Sequence, residues 1–239
     1  MNALILAAGM GNRLEDLTQD RPKAMVPVLG KELILYQLDF LRHKAISDIG
    51  IVLGFQAGNF RRFLQDHTIE VQQFFNPRYE EGSILTVQAA ANFIEEDTLL
   101  MNVDHIYPRH LLDRLLKQID GITAICDFDR TLVADDMKIK RGPTGQLAQI
   151  HKQLTGFDGG YIGMTVIPAK KTSSYKAAIE NTIKIHGFNA SVEMILQELA
   201  NLGESISIAD CSGIGWLEVD NQEDLAKAET FLKTHPTHL

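Results

Sequence analysis

Apolar residues recur along this chain in two rhythms. Short unbroken runs, Ala3 to Ala8 (ALILAA), Ile49 to Leu53 (IGIVL) and Leu99 to Val103 (LLMNV), have the length of buried strands. Between the first two, Leu33, Ile34, Leu38 and Leu41 follow a helical period. Ile84 to Ile94 and Leu111 to Ile119 also fit helices better than strands. Strand and helix alternating in this way predict an α/β fold whose mainly parallel sheet is covered on both faces.

The second half changes character. Strand-like pieces follow one another at Ile122 to Phe128, Met137 to Lys140, Leu147 to His151 and Tyr161 to Ile167. Gly142-Pro143, Gly145 and Gly159-Gly160 punctuate them. Helical patterns resume near Ser174 to Ile185 and Ser191 to Leu202. No repeat or linker interrupts the chain, so residues 1–239 are expected to form one domain. Its two halves would divide at about residue 105, the second running over about 106–239.

Composition narrows the function. The net charge is −8 and no long basic block occurs, which disfavours sequence-independent binding to a nucleic-acid backbone. No apolar run approaches the roughly 20 residues that a membrane span needs. The opening residues lack a signal peptide's basic flank and apolar length. Two cysteines, Cys126 and Cys211, do not make a disulfide framework. A cytoplasmic protein is expected, and the oligomeric state stays open, a homodimer included.

The segment richest in chemistry is Leu6-Ala7-Ala8-Gly9-Met10-Gly11-Asn12-Arg13-Leu14, with Pro22-Lys23 downstream. It begins at the C-terminal end of the first strand, where open α/β sheets bind ligands. Gly9 and Gly11 permit a tight turn that brings main-chain N–H groups against phosphate oxygens. Arg13 can add a forked charge and Lys23 a compact one. A dinucleotide fingerprint would need glycine where Leu14 stands, and a P-loop would need Gly-Lys-Ser/Thr.

This pattern, continued by Thr18, Val28 and Gly30-Lys31, resembles the signature of the sugar-1-phosphate nucleotidyltransferase superfamily. The resemblance implies a Rossmann-like three-layer sandwich of the GT-A-like kind, with a mixed sheet. It also implies a loop that wraps a triphosphate through Leu6, Ala7, Ala8, Gly9 and Gly11, and catalytic roles for Arg13 and Lys23. Two acids at strand ends, Asp104 in Asn102-Val103-Asp104-His105 and Asp220 in Trp216 to Asp220, correspond to the family's Mg²⁺ ligands. Glu218 is held in reserve, and Asp104 also belongs to the nucleotide site. Asn76, Gly82 and Ser83 fall where the family contacts the base, although a plain surface loop satisfies residues 76–83 equally well.

Asp104 to Tyr107, Asp135 to Ile139 and Ile150-His151-Lys152 before Gly159-Gly160-Tyr161 look like the cytidylyltransferase branch, that of inositol-1-phosphate and phosphocholine. The resemblance therefore implies CTP as donor, bound by a nucleotide-binding half up to about residue 105. It implies a phosphorylated small molecule as acceptor, bound by an acceptor-binding half over about 106–239 and contacted by Lys138, Lys152, Gly160 and Glu193. For the two lysines an exposed strand position fits as well. Ser83-Ile84-Leu85 replaces the branch's usual Asn/Gly-rich piece. Alternative readings are a uridylyl-, thymidylyl- or guanylyltransferase, a glycosyltransferase using Asp127-Phe128-Asp129, and a catalytically silent nucleotide sensor. Asp127-Phe128-Asp129 itself is expected to be structural. The histidines show no zinc-ligand spacing.

Overall fold

A computed structural model describes residues 1–238. In chain order the first half contains β1 (Asn2–Ala7), β2 (Pro27–Val28), β3 (Lys31–Glu32), α1 (Leu33–Phe40), β4 (Ile49–Leu53) and α2 (Ala57–Asp66). There follow β5 (Gln72–Phe75), α3 (Ile84–Ala89), β6 (Thr98–Asn102), β7 (His105–Ile106) and α4 (His110–Leu115). The second half contains β8 (Ile122–Asp127), β9 (Lys138–Arg141), β10 (Leu147–His151) and β11 (Gly159–Ile167). It closes with α5 (Thr172–His186), α6 (Met194–Asn201), β12 (Ile206–Asp210), β13 (Leu217–Glu218) and α7 (Gln222–Thr234).

One 9-stranded sheet runs through both halves. Its parallel part is β6-β1-β4-β5, with Leu4 of β1 opposite Gly50 on one side and Leu100 on the other. Antiparallel β11 continues the sheet beyond β6, and β8 and β12 extend it further as a parallel pair. The other end of β11 carries β9 and β10. The switch of β11 from β6 to β9 is accompanied by an irregularity between Tyr161 and Thr165 and by Gly163 at φ +70. A Cβ at Gly163 would meet Asn102 Nδ2 and His105 Cε1 at 2.9 Å, so glycine is required where this strand passes the site.

The side-chain period of 2 sorts β1 between two cores. Ala3, Ile5 and Ala7 face α1, α2 and α4 through Ile34, Phe60, Leu64 and Leu111. Leu4 and Leu6 face α3, α5 and α6 through Ile84, Tyr175, Ile179 and Ile195. This is the expected three-layer arrangement. A smaller cluster of Leu14, Val28, Leu33, Tyr36, Val219 and Leu232 seats the glycine-loop segment under α7.

The expected helix from Ile84 to Ile94 stops at Ala89, because Ala90 leaves the helical region at φ −118 and a short turn, Ala91–Phe93, follows. The helix expected to reach Ile119 ends at Leu115. Among the elements without a sequence expectation are α2, which buries Phe60, Phe63 and Leu64 on one stripe, and β12, whose polar Ser207 and Asp210 mask it. Among the described residues no helix is long and apolar enough to cross a membrane.

Candidate active site

The site forms where β1 and β6 end. Beyond β1 the chain turns through Gly11 at φ +74, and a Cβ there would meet Lys23 Cβ at 2.9 Å and Thr18 Cγ2 at 3.1 Å. The Thr18 hydroxyl donates back to the Gly11 carbonyl at 3.1 Å, and Leu14 N–H closes the turn on the same oxygen at 2.8 Å. A Cβ on Gly9 would meet nothing within 4 Å, which leaves its backbone open to a ligand.

A two-stranded ribbon brings the strand-end acids together. β7 pairs antiparallel with β13, matching His105 with Glu218, and Val219 N–H donates to the Asp104 carbonyl at 2.8 Å. Asp104 and Asp220 therefore flank the same ribbon. Nζ of Lys23 donates to Asp104 Oδ2 at 2.7 Å and to Asp220 Oδ1. The Lys23 residue is only 8% exposed. Burial works against its charge, but Asp104 and Asp220 outweigh burial and hold its pKa above the ordinary value. For Asp104, burial pushes the carboxyl up, yet Lys23 and His105 prevail and keep it well below the usual carboxylate range.

Arg13 extends the network, donating Nη2 to Asp220 and Nη1 to Asp135. Burial is again opposed by these carboxylates, Asp220 foremost, which hold the guanidinium above its ordinary pKa. Asp135 accepts from Lys152 Nζ at 2.7 Å on its other oxygen. Lys152, Asp135, Arg13, Asp220, Lys23 and Asp104 thus alternate in sign along the site.

Two cavities meet at Asp104. A 240 Å³ cavity lies against Leu6, Ala8, Gly9 and Lys23 and reaches Tyr79, Glu81, Ser83, Thr86 and Glu193. A 340 Å³ cavity is lined by Arg13, Arg130, Asp135, Lys152, Gly160, Tyr161, Glu193, Trp216, Glu218 and Asp220. Ser83, Asn102, Asp104 and Glu193 line both. Each cavity draws on residues from either side of position 105, so the two sequence halves do not divide the site.

Asp104 Oδ2 and Asp220 Oδ1 converge on one ammonium, so hard oxygen donors from two strand ends reach a common point. That donor set suits Mg²⁺, which binds through one or two carboxylates with phosphate oxygens and waters completing its shell. Among the described residues no group of three or more His, Cys, Asp or Glu side chains gathers to hold a metal without such help.

Other sequence candidates lie elsewhere. Ala7 is buried and lines neither cavity. Asn76 is buried, donating to Thr86 Oγ1 at 3.1 Å and accepting from Arg78 N–H at 2.9 Å, so its amide shapes the loop and lines neither cavity. Gly82 is wedged against residues 188–190, where a Cβ would sit 2.2 Å from the Ala190 carbonyl oxygen. Lys138 is 6% exposed and donates to the carbonyls of Val133, Ala134, Asp136 and Lys152 at 2.8–3.2 Å. An ammonium satisfied in this way holds a turn and lines neither cavity. Asp127 accepts from the N–H groups of Asp129 and Arg130 and from Trp216 Nε1, the structural role expected of it.

The nucleotidyl transferase family model matches residues 2–129, the span from β1 through the glycine loop and Asp104 to the end of β8. The chain belongs to the nucleotidyl transferase family. Among its relatives, a bifunctional IPC transferase and DIPP synthase of Aquifex aeolicus is 28% identical over 96% of the chain. The chain spans about half of that relative, 51% of its length. A CTP:phosphoglutamine cytidylyltransferase of Campylobacter jejuni is 25% identical over 94% of the chain and 98% of its own length. The inositol-1-phosphate CTP transferase of T. maritima shares the fold at a TM-score of 0.80 and 20% identity, covering 97% of this chain and 96% of its own. So does the CTP:phosphocholine cytidylyltransferase of Streptococcus pneumoniae, at 0.76 and 23%, covering 97% and 98%.

Within this candidate site, two residues carry roles that sequence reasoning does not assign. His105 is buried, donates Nδ1–H to Asp104 Oδ1 at 2.8 Å, and packs parallel to Tyr107 at 4°. Burial opposes its charge, but Asp104 and then Glu218 hold its pKa above the ordinary value. Gln37, fully buried on α1, donates to the His105 carbonyl and so fixes the turn that carries Asp104. His105 is at least next to a candidate acid in sequence, whereas a glutamine within an apolar helix is the only signal for Gln37.

Proposed function

We propose that this chain transfers CMP from CTP to a phosphorylated small molecule, such as an inositol phosphate, phosphocholine or a phosphonate, releasing pyrophosphate with Mg²⁺ as its metal. The observation that carries the reading is the convergence of Arg13, Lys23, Asp104 and Asp220 where the glycine-loop cavity meets the second one. Cytidylyl transfer is named for several relatives, the near full-length match among them.

An acceptor phosphate oxygen attacks the α-phosphorus in line. A P–O bond forms as the α–β bridging bond breaks, and pyrophosphate leaves with its electron pair. The attacking oxygen is already anionic, so no general base is needed. Leu6, Ala8 and Gly9 seat the triphosphate, with Ser83 near the base. Lys23 and Arg13 meet charge that grows between the α- and β-phosphates. Asp104 and Asp220 would hold Mg²⁺, which supplies further neutralisation of the phosphate charge when bound. On the acceptor side Lys152 and Arg13 offer cations, and Gly160 and Glu193 shape the wall. A glycosyltransferase reading has less support, because Asp127 and Asp129 line neither of the two cavities that meet at Asp104.

The test is a pyrophosphate-release screen crossing four nucleoside triphosphates with phosphorylated alcohols, phosphonates and hexose 1-phosphates. Release with CTP and a phosphorylated alcohol or phosphonate is expected. Release with none of the triphosphates contradicts nucleotidyl transfer, and release that requires no divalent cation contradicts the metal.

A further inference from the structure

Asp135 lines the acceptor-side cavity without a part in the transfer chemistry. Asp135 gives Oδ2 to Nη1 of Arg13 and Oδ1 to Nζ of Lys152, so each oxygen is held by a different cation. A tetrahedral phosphate seeks the same surroundings, with several oxygens shared among a guanidinium and an ammonium.

Asp135 is not carried there by a loose loop. It sits in a turn closed by a 2.6 Å hydrogen bond from Val133 N–H to Asp136 Oδ2. The buried Lys138 ammonium gathers the carbonyls of Val133, Ala134 and Asp136 beneath that turn. The same ammonium takes the Lys152 carbonyl at 2.8 Å, so Asp135 and Lys152 ride on one support. Arg13 reaches them from across the cavity, where Asp220 takes its other nitrogen.

We propose that Asp135 is a built-in counter-anion that occupies the seat of the acceptor's phosphate or phosphonate group, and that the incoming group displaces it from Arg13 and Lys152. The naming of the group's bearer as acceptor rests on the proposed cytidylyl transfer; the seat itself rests on anion chemistry. A dianionic phosphate competes well against a single carboxylate, whereas a monoanionic group gains little by the exchange. Asp135 thereby discriminates between acceptors by charge, a repulsive element that costs every ligand some affinity and costs singly charged ones most.

The experiment measures the affinity of the full chain for inorganic phosphate and for methylphosphonate by calorimetric titration without nucleotide. It uses the wild type, D135N, K152M and the double variant. The pairs Asp135 makes are about half exposed, at 52% for Asp135, 55% for Arg13 and 45% for Lys152, so solvent screens them. Removing the competing charge is therefore expected to tighten phosphate binding only roughly three- to tenfold. K152M should weaken binding, and the double variant should lose most of the D135N gain. Unchanged or weaker phosphate binding in D135N overturns the proposal, as does a gain that survives in the double variant. Should D135N melt the turn, seen as a lowered thermal midpoint, D135S removes the charge with a residue that turns accept. A failed triphosphate screen alongside tightened phosphate binding sinks the transfer reading and leaves the seat standing. The reverse outcome sinks only the seat.

Discussion

Lys23 and Asp104, 81 residues apart in sequence, meet through a 2.7 Å hydrogen bond from Nζ to Oδ2. Asp220 takes the same ammonium, so one cation holds together two carboxylates that would otherwise repel. Lys23 is placed by the turn that Gly11 makes possible, and the acids by the β7–β13 ribbon. Three separate pieces of chain must fold before all of these charges are balanced, which ties the site's electrostatics to its tertiary structure.

Because Lys23 and Arg13 would face charge that grows in the transition state, Lys23→Ala and Arg13→Ala should lower kcat more than they weaken triphosphate binding. Loss of one preorganised donor costs about 10²–10³ in kcat where it has been measured. Steady-state kinetics beside equilibrium binding of CTP separates the two effects. Unchanged turnover in either variant removes that residue from the mechanism.

Asp104→Asn should abolish Mg²⁺-dependent activity and Asp220→Asn reduce it severely, with the fold retained. The amide keeps the shape but leaves Lys23 short of one charged partner, at a stability cost of about 1–3 kcal/mol. Denaturant unfolding gives that cost, and activity across a Mg²⁺ titration gives the other outcome. A fully active Asp104→Asn enzyme contradicts the metal assignment.

The His105–Asp104 pair predicts a stability profile with a definite sign. His105 is held above its ordinary value, so its contribution is fully present below about pH 6.5 and is lost as pH rises through the folded-state value. Asp104 is held below its ordinary value, so its contribution is present above about pH 3.9 and is lost as pH falls through the folded-state value. The pair therefore stabilises most between those limits. The difference in unfolding free energy between wild type and His105→Gln should shrink from about pH 5 to about pH 8. A difference that stays constant or grows would mean that His105 is neutral in the folded protein.

Gly11→Ala should both destabilise the protein and slow it. An alanine at φ +74 is strained by roughly 1 kcal/mol, and its Cβ would press on Lys23 Cβ and Thr18. Gly9→Ala meets no protein atom and should leave the unfolding midpoint unchanged. Equal thermal midpoints for the Gly11→Ala variant and wild type would show that the turn relaxes freely.

The amino-acid sequence makes the first three long strands legible, because they are buried on both faces and read as unbroken apolar runs. Asp104 and Asp220 stand out because each ends a strand. Their convergence leaves no such trace, since it rests on the pairing of β13 with β7, and β7 is only two residues long and too short to carry a pattern. Lys138 shows the limit most sharply. Its neighbours in sequence permit a ligand contact or an exposed position, and the folded turn makes it neither, supplying four carbonyls that turn the ammonium into a structural pin. The position of their loop points Asn76 and Gly82 to the base site, but the loop uses them to brace itself.

The donor preference is the most exposed of the expectations: kcat/KM should be highest for CTP among CTP, UTP, ATP and GTP with one good acceptor. The cavity beside the glycine loop measures 240 Å³ and is bounded by Tyr79, Glu81, Ser83 and Thr86. Its far wall resists widening. Ser83 Oγ accepts from Val192 N–H at 2.9 Å, Gly82 N–H donates to the Phe188 carbonyl at 2.9 Å, and Tyr79 packs on Phe55 at 5.9 Å between ring centroids. A purine must either displace this braced wall or leave its polar edge unpaired, and a few kcal/mol of such cost gives a large rate ratio. Between the two pyrimidines, cytosine offers an amino group where uracil offers a carbonyl, and the Glu81 carboxylate on that wall can accept from the amino group. Glu81→Gln should therefore narrow the gap between CTP and UTP by about tenfold, as one charge-assisted hydrogen bond of about 1.5–3 kcal/mol is weakened. Arg78 complicates the test, because it already holds Glu81 through two 2.6 Å hydrogen bonds. Arg78→Met frees the carboxylate and should widen the same gap. If UTP or GTP is the better donor in the wild type, the cytidylyl assignment fails while membership of the nucleotidyl transferase family is untouched.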